Sequence, residues 1–131
     1  MEKHWIRHVG TALVVLVTSF LALDAGMKLA GAQAAIEATG GLGFSPAATR
    51  MLGAVLALST IVYVVPATRV LGAIVVTGYL GGAVAVQAQH GNPVPTHVLF
   101  GVYVGVALWG SVWLHNTGVR QLMPLVRSTS L

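Results

Sequence analysis

Asp24 and Lys28 are the residues whose types and spacing most plainly suggest chemistry. They stand four apart inside an otherwise apolar run over 9–30. A helix brings such a pair onto one face, one turn from each other. A run of that length is a membrane-span candidate, and a carboxylate within one costs about 2.5–3.5 kcal/mol on insertion scales. The chain has only three acidic residues, Glu2, Asp24 and Glu37, and one of them falls in lipid. Ionisable groups in that position are functional candidates by default. Two chemistries suit the pair. It can move a proton or donate a hydrogen bond to a bound molecule, or it can neutralise itself and only lock helix packing.

Composition says what surrounds the pair. The chain has 131 residues, 56% hydrophobic and 8% charged, against about 25% charged in soluble domains. So few charges cannot cover a soluble globule, and the lipid bilayer is the expected partner. The length suits one membrane domain. The formal charge of +4 does not point to nucleic acid, because the seven basic residues are scattered at segment ends and form no patch. They read as topology determinants. With no cysteine in the chain, disulfide exchange, thiolate catalysis and Cys-ligated metal sites are excluded. Lys3 and Arg7 before an apolar run resemble a signal peptide, but the run exceeds an h-region of 7–15 residues. It reads as a retained first helix.

Four spans are expected, over about 9–30, 47–65, 69–89 and 96–115. The linker 31–46 contains AQAAIEA, which suits a short interfacial helix before Thr39, Gly40, Gly41 and Gly43 break it. Ser45 followed by Pro46 is an N-cap with proline at the first helical position. Pro66 ends the second span, and the turn to Arg69 is tight enough for an antiparallel hairpin. Lys3, Arg7, Arg69, Arg120 and Arg127 fall on one side of a four-span bundle, against Arg50 and Lys28 on the other. Positive-inside then places both termini in the cytoplasm. Trp5, Trp109 and Trp113 fall toward the same side as interface anchors. Small residues at Gly78 and Gly82, and at Gly101 and Gly105, have the spacing that lets membrane helices approach. They are expected to pack the bundle internally.

Depth brings the polar groups together. Asp24 lies roughly 20 Å past Val9 along a helix, in the outer half of the bilayer, with Lys28 a turn further out. The third span also runs outward, and Tyr79, Gln87 and His90 lie within about 80° of one another on it. Arg50 opens the second span at that level and His97 opens the fourth. These seven residues suggest a pocket between helices, open toward the outer side or the lipid. Asp24, Lys28 and Tyr79 are the candidates for chemistry. Arg50, Gln87, His90 and His97 are candidates for binding. Thr77 falls on the opposite face and reads as packing. No metal site is expected, because nothing enforces a geometry on His90, His97 and Asp24. Haem ligation by these histidines is equally unsupported. There is no strand pattern and no phosphate loop.

Several stretches carry a family likeness: LALDAGMKLA, GLGFSP, Arg50-Met-Leu-Gly, YVVPATRVLGAIVVTGYLGGAVA, His97 followed by Gly101, LWGSVWLHN and RQLMPLVR. Together they resemble the DoxX-like family over nearly the whole chain. The resemblance implies a bacterial four-helix membrane protein. It also implies association with a redox complex, with quinone as the cofactor and a redox subunit as partner. The family often has histidine and arginine where this chain has Gln87 and Gln89, and an acidic residue in the second helix where Val55 and Leu56 stand. Chemistry carried by those groups would be lost here or moved to His90.

The sequence thus specifies an all-α, polytopic membrane four-helix bundle and leaves three functions open. One is a quinone-binding, redox-associated subunit, with Asp24 relaying a proton. Another is a small enzyme performing acid–base chemistry on a lipophilic substrate (epoxide opening, isoprenoid cyclisation or isomerisation), with Asp24 as the acid. The third is a non-catalytic scaffold or homo-oligomer in which Asp24–Lys28 is a structural ion pair.

Overall fold

The computed structural model describes residues 2–123. Six helices follow in order: α1 (Glu2–Ala30), α2 (Gln33–Gly40), α3 (Pro46–Val64), α4 (Arg69–Gln89), α5 (Phe100–His115) and α6 (Thr117–Leu122). No strand occurs among the described residues. Four helical segments are long and apolar enough to cross a membrane, and α1, α3, α4 and α5 form them. The protein is an all-α, multi-pass membrane bundle. Large apolar side chains such as Leu16, Leu23, Leu58, Ile61, Ile74 and Val106 are more than half exposed on its outside. Lipid is the solvent those side chains suit.

Each spanning helix runs antiparallel to its neighbours, as close approaches at glycine show. A Cβ placed on Gly53, early in α3, would stand 2.7 Å from the backbone nitrogen of Leu29, at the end of α1. Gly72, early in α4, meets the backbone of Tyr63 near the end of α3. Gly101, early in α5, meets Leu80 and Val84 of α4. Gly10 of α1 lies under the His115 ring at the end of α5, and Thr11 and His115 are 3.3 Å apart. Around the square, α1 packs on α3 and α5, and α4 packs on α3 and α5. That leaves α1 opposite α4 and α3 opposite α5 along the diagonals. Leu21, Leu56, Tyr63, Val76 and Leu108 fill the centre.

Local chemistry fixes where the helices stop. Val65 adopts an extended conformation before Pro66, and one tight turn over Pro66–Thr68 leads into α4. The orphan carbonyls at the end of α3 accept from side chains: Thr68 Oγ1 donates to Val62 O at 2.7 Å, and Arg69 donates to Tyr63 O and Val64 O. Ser45 caps α3, its Oγ accepting from Ala48 N at 3.1 Å.

Three local features differ from the expectation. Helix α1 starts at Glu2, two turns before the apolar run, because charged residues end hydrophobicity without breaking a helix. The fourth span opens with a wide turn over Val94–Val98. Pro95 cannot donate there, Val98 N and Leu99 N reach back five residues, and Tyr103 Oη donates to Pro95 O at 2.8 Å. The segment after α5 forms a sixth helix. Asn116 caps it, its side chain accepting from Val119 N, Val119 is buried, and Trp113 Nε1 donates to Met123 O at 3.0 Å. Arg120 lies 5.8 Å from the Trp113 ring centre. Arg127 lies outside the described residues.

Candidate functional site

The wedge between α3 and α4 holds the site. Where the two helices join, Gly72 presses against the Tyr63 backbone and the interface is closed. Two turns and more along α4 the helices have parted. Gly78 and Gly82 face open space there, with no atom within 4 Å of a Cβ placed on either. The result is a cavity of about 520 Å³ walled by α1, α2, α3 and α4. Its lining is mainly apolar: Met27, Leu42, Phe44, Leu52, Ala83 and Val86 belong to it.

One polar cluster sits in that wall. Lys28 Nζ donates to Asp24 Oδ2 at 2.8 Å and to the Tyr79 hydroxyl at 2.9 Å. The Lys28 side chain is 14% exposed and that of Asp24 35%. No Cα of α1 comes within 8 Å of one in α4, so the lysine arm crosses the diagonal to reach Tyr79. Close packing behind the lysine fixes the base of its arm, since Gly53 lets the α3 backbone lie against Lys28 Cβ. Donor arithmetic leaves capacity over. An ammonium has three N–H groups, and two are used. Because the Tyr79 oxygen accepts from Lys28, its own proton remains to be donated. Asp24 keeps its second oxygen.

Helix α2 and the strand of chain after it roof the cavity. Ala32 follows Gly31, whose φ of +68° turns the chain sharply off α1. At the other end Thr39 and Thr49 are buried and hydrogen-bonded to each other, which pins α2 to the first turn of α3. Thr39 Oγ1 also lies 2.8 Å from Ala35 O, and Phe44 N donates to Thr39 O. Leu42 and Phe44 are thereby held against the cavity.

Of the seven residues singled out by sequence, Asp24, Lys28, Tyr79 and Gln87 line the cavity. The other three do not. Arg50 is exposed at the α1–α2 corner, its guanidinium against Gly31. His90 is exposed beyond the last turn of α4, its Nδ1 3.0 Å from Val86 O. Helical phase with Tyr79 stops applying at Gln89, where the helix ends, so His90 does not take the place of position 87. His97 is exposed in the wide turn, its Nδ1 2.9 Å from Thr96 Oγ1. Gln87 is tied across the mouth by Asn92, whose side-chain nitrogen donates to its Oε1. No group of three or more potential metal-ligating side chains comes together among the described residues.

Sequence reasoning missed the roof and the two glycines. Ala35 and Thr39, four apart and buried, are a helical face too short to register as periodicity. Gly78 and Gly82 have the spacing of a packing motif, and only the structure distinguishes a close approach from a space. Gly101 does pack, meeting Val84 and the Leu80 carbonyl. Thr77, on the other face of α4, accepts from Trp109 Nε1 at 2.7 Å.

No curated protein and no solved structure matches this chain. Residues 12–111 match the family model described as the DoxX-like family, a stretch that contains every cavity-lining residue, and the chain belongs to that family.

Proposed function

We propose that this membrane protein binds a neutral lipophilic molecule through an oxygen acceptor, and that a quinone is the class that fits best. The observation that carries the reading is the pairing of a large apolar cavity with two unspent donors, the third Lys28 N–H and the Tyr79 O–H. Ligand pockets have this make-up, an apolar lining with a few convergent polar groups. Asp24 offsets the lysine charge, so the cluster suits a carbonyl better than a carboxylate. Its second oxygen can take up a proton released by a bound quinol. In this role the protein is a membrane subunit that holds quinone for a redox partner. The excess of basic residues at the end carrying both termini supports an orientation with that end in the cytoplasm. The cavity then opens toward the outer leaflet of a bacterial inner membrane.

Calorimetry on the detergent-solubilised protein with a decyl benzoquinone tests the reading. Saturable binding is expected, weakened at least tenfold by Tyr79→Phe. Equal binding by that variant would sink it.

A second reading draws on one contact. Tyr79 accepts from an ammonium and presents its proton to the cavity, which is the posture of a general acid. Asp24 accepts from Lys28, so the tyrosine rather than the aspartate would give its proton to an epoxide oxygen while water attacks the ring carbon, the free Asp24 oxygen taking the proton of that water. Turnover of a lipophilic epoxide by the unaltered protein, lost in Tyr79→Phe, would select this reading over simple binding.

A further inference from the structure

Two kinds of glycine occur in the bundle. Gly53 and Gly72 sit where a neighbouring backbone leaves no room for a Cβ, and Gly101 is crowded by the Val84 side chain and the Leu80 carbonyl. Gly26, Gly78, Gly81 and Gly82 of the spanning helices have nothing within 4 Å of the Cβ position, and of these four Gly78 and Gly82 line the cavity. Packing therefore does not require glycine at these two positions, and helix propensity argues against it. Helix α2 adds Ala34 and Ala38 to the lining, also four residues apart, beside the larger Leu42 and Phe44 of the roof. No Cα of α2 comes within 8 Å of one in α4. The cavity thus takes small residues from both α2 and α4, and Tyr79, which accepts from Lys28, follows Gly78 directly in the chain.

We infer that Gly78 and Gly82 are the specificity-determining residues of this cavity, forming with Ala34 and Ala38 a slot for a flat ring whose carbonyl meets Lys28 and Tyr79. The inference rests on the binding reading above and adds the shape of the ligand. Four residues of helix span about 6 Å, the breadth of a substituted six-membered ring. A methyl at position 82 would enter the space of the ring without touching protein. The rest of the cavity, toward Val86 and Phe44, takes an alkyl tail.

Gly82→Ala and Gly82→Leu test this with two neutral carbonyl probes, a decyl benzoquinone and the linear ketone 2-dodecanone. The unaltered protein is expected to bind the quinone more tightly. Gly82→Ala should lose at least tenfold in quinone affinity while its ketone affinity stays within twofold. Gly82→Leu should lose both. The unfolding midpoint of Gly82→Ala should be unchanged or raised, because its methyl meets no protein atom. Quinone binding by Gly82→Leu within twofold of the unaltered protein overturns the slot. If that result comes with a tenfold loss in Tyr79→Phe, the binding site stands and only the slot falls. A protein that binds neither probe overturns both. A fall in the midpoint of Gly82→Ala would show that the position serves packing and would also overturn the inference.

Discussion

Two tyrosines bridge the two diagonals of the bundle, and they do so differently. Tyr63 on α3 reaches Ser111 on α5, with the hydroxyls 2.6 Å apart and both residues fully buried. Ser111 passes its own proton to Leu108 O at 2.6 Å. Every donor there is spent. Tyr79 on α4 meets Lys28 on α1 across the other diagonal, half-buried beside about 520 Å³ of space. Donors remain there that no protein atom takes. The first bridge is a closed structural bond. The second is the one the proposed binding reading takes as its site, because unspent donors in an apolar wall are costly unless something else uses them.

The largest expected effect falls on the open bridge. Lys28→Met leaves Asp24 without a partner inside the membrane. Removing one member of a buried pair costs about 3–5 kcal/mol, and the low end applies because Asp24 keeps a third of its side-chain surface. Denaturant titration in micelles, followed by helical circular dichroism, reads it. Replacing both Asp24 and Lys28 by leucine should restore stability, since apolar isosteres of a buried pair are often neutral or better. Quinone binding should still be lost. A double variant that binds as well as the unaltered protein would make the pair a packing device and erase the contrast between the bridges.

Glycines at the two ends of the α3–α4 wedge extend the comparison. Gly72→Ala drives a methyl into the Tyr63 backbone, an overpacking that costs about 1–3 kcal/mol. Gly78→Ala meets nothing, so it should be neutral or stabilise by up to about 1 kcal/mol through helix propensity. Thermal unfolding of the two variants should therefore move in opposite directions. Equal destabilisation would mean that the cavity closes onto α4 in the membrane.

The four spans were legible in the sequence because hydrophobicity and length are properties of each segment alone. So was the Asp24–Lys28 pairing, which needs only helical spacing. The level of Tyr79 and Gln87 followed from counting rise along antiparallel helices. Phase arguments failed where helices end. His90 belongs to the cap of α4, and Arg50 and His97 open their helices facing outward, so none of the three joins the wall. The roof was beyond reach for a different reason. Residues 32–38 read as an interfacial helix that Thr39 and Gly40 would break, whereas α2 runs on to Gly40, and its docking on α3 depends on Thr39 meeting Thr49, a contact between two ordinary residues with no pattern to announce it. The difference between Gly72 and Gly78 is likewise invisible until the neighbours are in place.

The smallest stability effects give the sharpest comparison, because they separate the two bridges by readout. Tyr63→Phe removes one buried hydrogen bond but orphans no donor, since Ser111 still gives its proton to Leu108 O. A loss of about 1 kcal/mol is expected, with quinone affinity unchanged. Tyr79→Phe leaves Lys28 its bond to Asp24 and opens no void in the core. Its stability should stay within about 0.5 kcal/mol, while quinone affinity falls at least tenfold. Denaturation midpoints and binding isotherms on the same two preparations decide the matter. If both phenylalanine variants lose the same stability and neither changes binding, then Lys28–Tyr79 is a second structural bond, and the two diagonals differ only in how tightly they are packed.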